Sequence, residues 1–114
     1  PQEAESELAK SEEKAMPSLV GRLKKLDGNA FTIEVTLAFE LELSHGAFFL
    51  LLTTGERVAV LLDGTRSTAP GTYGAGMVLR FVGATEGTAP PRDAIRALEI
   101  EGPPGRATLL VRIA

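Results

Sequence analysis

The chain predicts a small all-β barrel of six or seven antiparallel strands, preceded by a polar N-terminal tail or short helix. Three observations carry that prediction. The run FTIEVTLAFELEL, residues 31–43, puts an apolar side chain at every odd position for thirteen residues, the period of 2 that marks an extended strand. Turn-forming stretches built on Gly, Asn, Asp and Pro recur between apolar runs of strand length. No segment after residue 18 carries a convincing core stripe at helical spacing.

At 114 residues the chain has the size of one ordinary domain, long enough to bury a core without staples. Its 44% hydrophobic and 24% charged residues exclude wholesale disorder, and with five Phe and one Tyr the core must be mainly aliphatic. The formal net charge is −3, but the first fourteen residues hold five Glu and two Lys and account for all of it. A body so close to neutral lacks the overall basic footprint of a nucleic-acid binder. The absence of cysteine removes disulfides, thiolate metal sites and cysteine nucleophiles. The longest apolar run, Ala47 to Leu52, is far short of a membrane span, and no signal-peptide pattern is expected.

Residues 1–17 have no Gly and no β-branched residue, and only Ala4, Leu8 and Ala15 could form a stripe. They read as an acidic tail or tether, frayed if helical, with Pro17 as its boundary and residues 18–114 as the barrel domain. From Leu19 the pattern is strand, turn, strand, with Asp27-Gly28-Asn29 as the turn. A second hairpin follows, turning at Thr54-Gly55-Glu56 between Ala47–Leu52 and Arg57–Leu62. Both arms are nearly apolar on both faces, which predicts a central position or a covered outer side. The Gly-rich stretch 69–76 reads as loop, residues 77–84 as strand, and 85–94 as loop again. Residues 94–100 could start as helix or strand and favour strand weakly, and a turn at Gly102–Gly105 leads to a final strand.

A straight strand over residues 31–43 would extend about 43 Å, longer than such a domain is wide. It must either bend around two sides of the barrel, as the long strand of an OB-fold does, or project and offer its apolar face to a partner.

Catalytic chemistry finds few parts. His45 is the only histidine, with Glu40 and Glu42 as the nearest carboxylates, and a solvated strand face explains them better than a metal site. Ser44 is the only hydroxyl beside it in sequence, too little for a nucleophilic triad. Glu34, Glu40 and Glu42 read as the wet side of the ribbon rather than as a glycosidase pair. Gly71, Gly74 and Gly76 match neither a dinucleotide fingerprint nor a P-loop. No metal, cofactor or enzymatic activity is therefore expected.

The stretches LVGRLKKLDGNAFTIEV, ERVAVLLDGTRST, MVLRFVGAT and IRALEIE together resemble a class of small exported bacterial OB-like β-barrel domains of unknown function. That resemblance spans most of residues 19–101 and implies a barrel without a catalytic site in an extracytoplasmic setting. It transfers no functional residue. The chain departs from the pattern by extending the second strand through LAFELEL and by inserting AFFLLL.

Two functional readings follow. In the first, the protein is a non-enzymatic interaction or assembly module. It binds a protein partner or a second copy through Leu37, Phe39, Leu41 and Leu43, with Phe48 and Phe49 beside them, unless these six fill the core. In the second, it is an OB-type binder of single-stranded nucleic acid using Arg22, Lys24, Lys25 and Tyr73, with Arg57 and Arg80 on other strands.

Overall fold

The computed structural model describes residues 18–44, 46–102 and 108–114. The expected tail or short helix at 1–17, His45 and the turn after Gly102 lie outside the described residues. Among the described residues nine strands follow in chain order: β1 Ser18–Asp27, β2 Ala30–Thr36, β3 Leu41–Leu43, β4 Ala47–Leu52, β5 Arg57–Leu62, β6 Gly71–Tyr73, β7 Val78–Thr85, β8 Ile95–Glu101 and β9 Leu109–Ile113. A 3-10 turn, Arg92–Ala94, precedes β8.

Seven of these strands close a barrel in the order β1-β2-β7-β5-β4-β8-β9, while β3 and β6 form a separate two-stranded sheet. Every neighbouring pair in the barrel is antiparallel except β9 and β1, which run parallel from Ser18 opposite Leu110 to Gly21 opposite Ile113. Counting forces this. Directions that alternate around a closed ring need an even number of strands, so a seven-stranded barrel must contain a parallel joint. The small all-β barrel is as the sequence predicts; the parallel joint is the part that strand counting alone does not supply.

The core is made by alternation. Phe31, Ile33 and Val35 of β2 point inward and are at most 1% exposed, facing Leu79 and Phe81 of β7, Leu50 of β4, Leu98 of β8 and Val111 of β9. The β1–β2 turn forms where the sequence places it. Asp27 pairs with Ala30, leaving Gly28 and Asn29 as a two-residue loop in which Gly28 takes φ +61°. Asn29 fixes that loop to the end of β7, its side-chain amide donating to the Thr85 carbonyl at 3.0 Å.

Two expectations need correction. The thirteen-residue ribbon is not one strand: β2 stops at Thr36, the chain bends at Ala38 and Phe39, and β3 starts at Leu41 in the other sheet. The Gly-rich stretch contains a strand, β6, which pairs with β3 from Leu41 opposite Tyr73 to Leu43 opposite Gly71. Leu41, Leu43 and Tyr73 pack onto the core, so this small sheet caps one end of the barrel. The second hairpin takes the central position the sequence predicts, with β5 between β7 and β4 and β4 between β5 and β8, and its outer side stays open at β5, where Ala59 is exposed and Leu61 70% exposed.

Candidate functional site

The outer faces of β1, β2 and β7 form one continuous surface whose rows are fixed by register. Arg22 lies opposite Glu34, and Glu34 opposite Arg80. Toward the Gly28 turn, Lys25 lies opposite Thr32, and Thr32 opposite Val82. At the other end Thr36 lies opposite Val78, with Val20 bordering the same hollow. The surface is thus cationic at its centre and turn end, and apolar at its far end.

A β-bulge builds the cationic part. Leu23 pairs with Ile33 but Lys25 with Thr32, so Lys24 is the extra residue of β1. Strict alternation would send Lys24 and Lys25 to opposite faces; the bulge leaves both exposed on the outside and returns Leu26 to the core. The bulge is held from the far side of the chain, where Arg92 donates from Nη1 to the Leu23 carbonyl at 2.7 Å. This is the structural reason that two consecutive lysines serve one surface.

Arg80 and Glu34 form the central ion pair. The guanidinium donates through Nε at 3.0 Å and Nη2 at 2.8 Å to the same carboxylate oxygen, Oε2. With the arginine side chain 58% exposed, the pair contributes only about 0–1 kcal/mol to stability. Its larger effect is positional, because it lays the guanidinium flat across β2. Arg66 joins from the loop after β5, where its Nε lies 3.9 Å from Asp63 Oδ2. Hydrogen bonds from the Thr65 hydroxyl and backbone N–H, more than the Arg66 charge, hold the Asp63 carboxyl below the ordinary carboxylate pKa, so it stays ionised and keeps the turn closed. Five cations, Arg22, Lys24, Lys25, Arg66 and Arg80, thus face Glu34 and Asp63.

Two open hollows of about 540 and 550 Å³ lie on this surface and share Lys24 and Glu34 as a common border. Together they make a shallow groove across three strands.

The sequence reading placed Arg22, Lys24 and Lys25 in one cluster, and the fold keeps them together. It adds Arg80 through the β2–β7 register and Arg66 through the 63–70 loop, neither recoverable from spacing in the chain. Tyr73 does not join them. It sits on β6, half-buried against the core, with its hydroxyl donating to the Ala69 carbonyl. Arg57 stands on a different wall, 4.1 Å from the centre of the Phe49 ring and bridged to Glu99 at 2.9 Å and Glu101 at 3.3 Å.

Of the six apolar residues expected to meet a partner, Leu37 and Leu43 are buried, and Leu41 and Phe48 pack against the core. Phe49 faces outward beneath Arg57, and Phe39 is 40% exposed at the bend. Among the described residues no three His, Asp or Glu side chains come together as a metal site, and no helix is long and apolar enough to cross a membrane. Comparison of the chain with protein-family models, curated proteins and solved structures finds no match.

Proposed function

We propose that this barrel is a non-enzymatic binding module that holds single-stranded nucleic acid along the outer face of β1, β2 and β7. The observation that supports the reading is the gathering of five cations around one shallow groove on a chain whose body is otherwise near neutral. Phosphates spaced along a flexible strand match Lys24, Lys25 and Arg66 at the turn end of the groove and Arg22 and Arg80 at its centre. Val20, Val78 and Val82 offer apolar contact for bases, and Thr32 and Thr36 offer hydroxyls. The groove has no aromatic platform, so the roughly 1–3 kcal/mol per base that stacking supplies is missing and phosphate contacts dominate. Binding is then tolerant of sequence and sensitive to salt.

The test is fluorescence anisotropy of a labelled oligothymidylate of about 12 nucleotides, within the usual site sizes for such barrels. Binding is expected at low salt, with log K falling against log[salt] by about 0.7 per phosphate neutralised. The double reversal Lys24→Glu with Lys25→Glu should abolish it while leaving the circular dichroism of the barrel intact. No binding of the wild type at low salt would remove the reading.

A second reading, assembly through apolar contact, is favoured by one observation. Phe39, Met77, Val78 and Val20 are 40–61% exposed, and the bend carrying Phe39 follows directly from the residue that pairs with Met77. Burying three or four such side chains against a second copy could contribute several kcal/mol, at roughly 1.5–3 kcal/mol for each one fully covered.

A further inference from the structure

The barrel wall has one weak joint. β5 and β7 pair through only three residue pairs, from Val60 opposite Thr85 to Leu62 opposite Gly83. Beyond Leu62 the chain leaves the sheet, and residues 63–70 run beside β7 without forming a strand. Backbone and side chains share the bonds to β7 there: the Asp63 and Thr68 N–H groups donate to the Val82 and Arg80 carbonyls at 2.7 and 2.8 Å, and two hydroxyls supply the rest. The Ser67 hydroxyl donates to the Val82 carbonyl at 3.0 Å and accepts from the Val82 N–H at 2.9 Å, and the Thr68 hydroxyl accepts from the Arg80 N–H at 2.8 Å. Between this loop and the β3–β6 cap lies a cavity of about 290 Å³. Leu43, Phe48 and Leu62 line its apolar side, and the Phe48 ring lies 6.3 Å from the ring of the fully buried Phe81. Ala69 and Pro70 border it on the loop, with the Ser44, Ser67 and Thr68 hydroxyls as its polar side.

The geometry points to a binding site for a small uncharged organic molecule of one or two rings carrying a single hydrogen-bonding group. Size supports this class, since an apolar cavity of roughly 150 Å³ already accepts benzene. Charge supports it too. No ionisable side chain among the described residues lines the cavity, so a charged ligand would lose hydration without gaining a partner. The Ser67 hydroxyl is used on both sides by Val82, which leaves the Ser44 hydroxyl and the Thr68 proton to meet the ligand's polar group. The site shares no lining residue with the groove on β1, β2 and β7 and stands independently of it.

Titration of the wild-type protein with 2-naphthol, followed by the methyl signals of Leu43 and Leu62, tests the site. Saturable shifts at both residues are expected, and 2-naphthoate, with nearly the same shape and one negative charge, should bind at least about tenfold more weakly. Ala69→Leu narrows the mouth at an exposed position and should weaken 2-naphthol by a similar factor at an unchanged melting temperature. Absence of saturation, equal binding of the naphthoate, or undiminished binding by the folded Ala69→Leu variant would each overturn the assignment.

Discussion

The two halves of residues 31–43 alternate in the same way and end in different places. Phe31–Thr36 becomes β2, hydrogen-bonded on one side to β1 and on the other to β7. Leu37 still follows that pattern, its N–H donating to Met77 and its carbonyl accepting from Gly76. Past Leu37 the β7 side has no further strand to offer, because β7 begins at Val78 and the Gly76 N–H closes on the Leu37 carbonyl. The backbone must find other partners for its N–H and C=O groups, and it does so three residues at a time as β3 against β6. Alternation therefore decides which side of a strand is apolar, whereas the length of its neighbours decides where it stops.

The largest expected effects test whether wall and cap really differ. Ile33→Ala removes a fully buried side chain from a strand held on both sides, and should cost about 2–5 kcal/mol. Leu43→Ala removes a side chain of similar burial from a three-residue strand in a two-stranded sheet that can settle inward, and should fall at or below the low end of that range, about 2 kcal/mol. Urea midpoints at unchanged m-value would measure both, and equal costs would erase the distinction between wall and cap. Next comes Gly83→Ala. A Cβ there would lie 2.6 Å from the Leu61 carbonyl oxygen and 3.2 Å from the Phe31 ring, so the short β5–β7 joint must part. A loss of about 1–3 kcal/mol is expected. Gly87→Ala, with nothing near its Cβ, should stay within about 0.5 kcal/mol and serves as the control.

Much of this fold was legible because local rules carried it. Asp27-Gly28-Asn29 turns where it should, Thr53–Glu56 turns β4 into β5, and the inward residues of β2 are those that alternation selects. What was not legible depends on distant chain. Gly71–Tyr73 has no strand composition and becomes β6 because Leu41–Leu43 needs a neighbour. β5 is central in the barrel, as its composition suggests, and nevertheless carries an exposed Leu61 on its outer side. The cationic surface was half legible. Arg22, Lys24 and Lys25 are adjacent in sequence, but only the bulge turns both lysines outward, and only the β2–β7 register brings Arg80 to Glu34.

A smaller effect sharpens the comparison at the joint itself. Ser67→Ala removes the hydroxyl that stands in for the missing strand beside Val82, and should cost about 1 kcal/mol. The readout is hydrogen exchange, in which the Val82 amide should lose protection while Ile33 keeps its own. The same amide reports on Asp63, which accepts the Ser67 N–H through its carbonyl and Thr65 through its carboxylate. Because the folded carboxyl sits below its ordinary pKa, the stability it adds is present above the unfolded value of about 3.9 and is lost as pH falls through the lower folded value. Val82 protection should therefore be flat from neutral pH to about 4 and drop only below it. A loss beginning near pH 6 would place the controlling group elsewhere.

At the bend between the two halves the expected effect on stability is small. Phe39 is 40% exposed, so Phe39→Glu gives up only the covered part of the ring and should cost no more than about 1 kcal/mol. Its effect on assembly is a separate matter, read by light scattering across a concentration series. If the apolar row with Met77, Val78 and Val20 is an interface, the wild-type mass should fall on dilution, and Phe39→Glu should be a folded monomer throughout. A wild type that is monomeric at every concentration would sink the assembly reading and leave the cationic groove as the surface to pursue. A variant that unfolds would show instead that the bend is bound to the core as tightly as β2, and that the break in the ribbon is part of the wall.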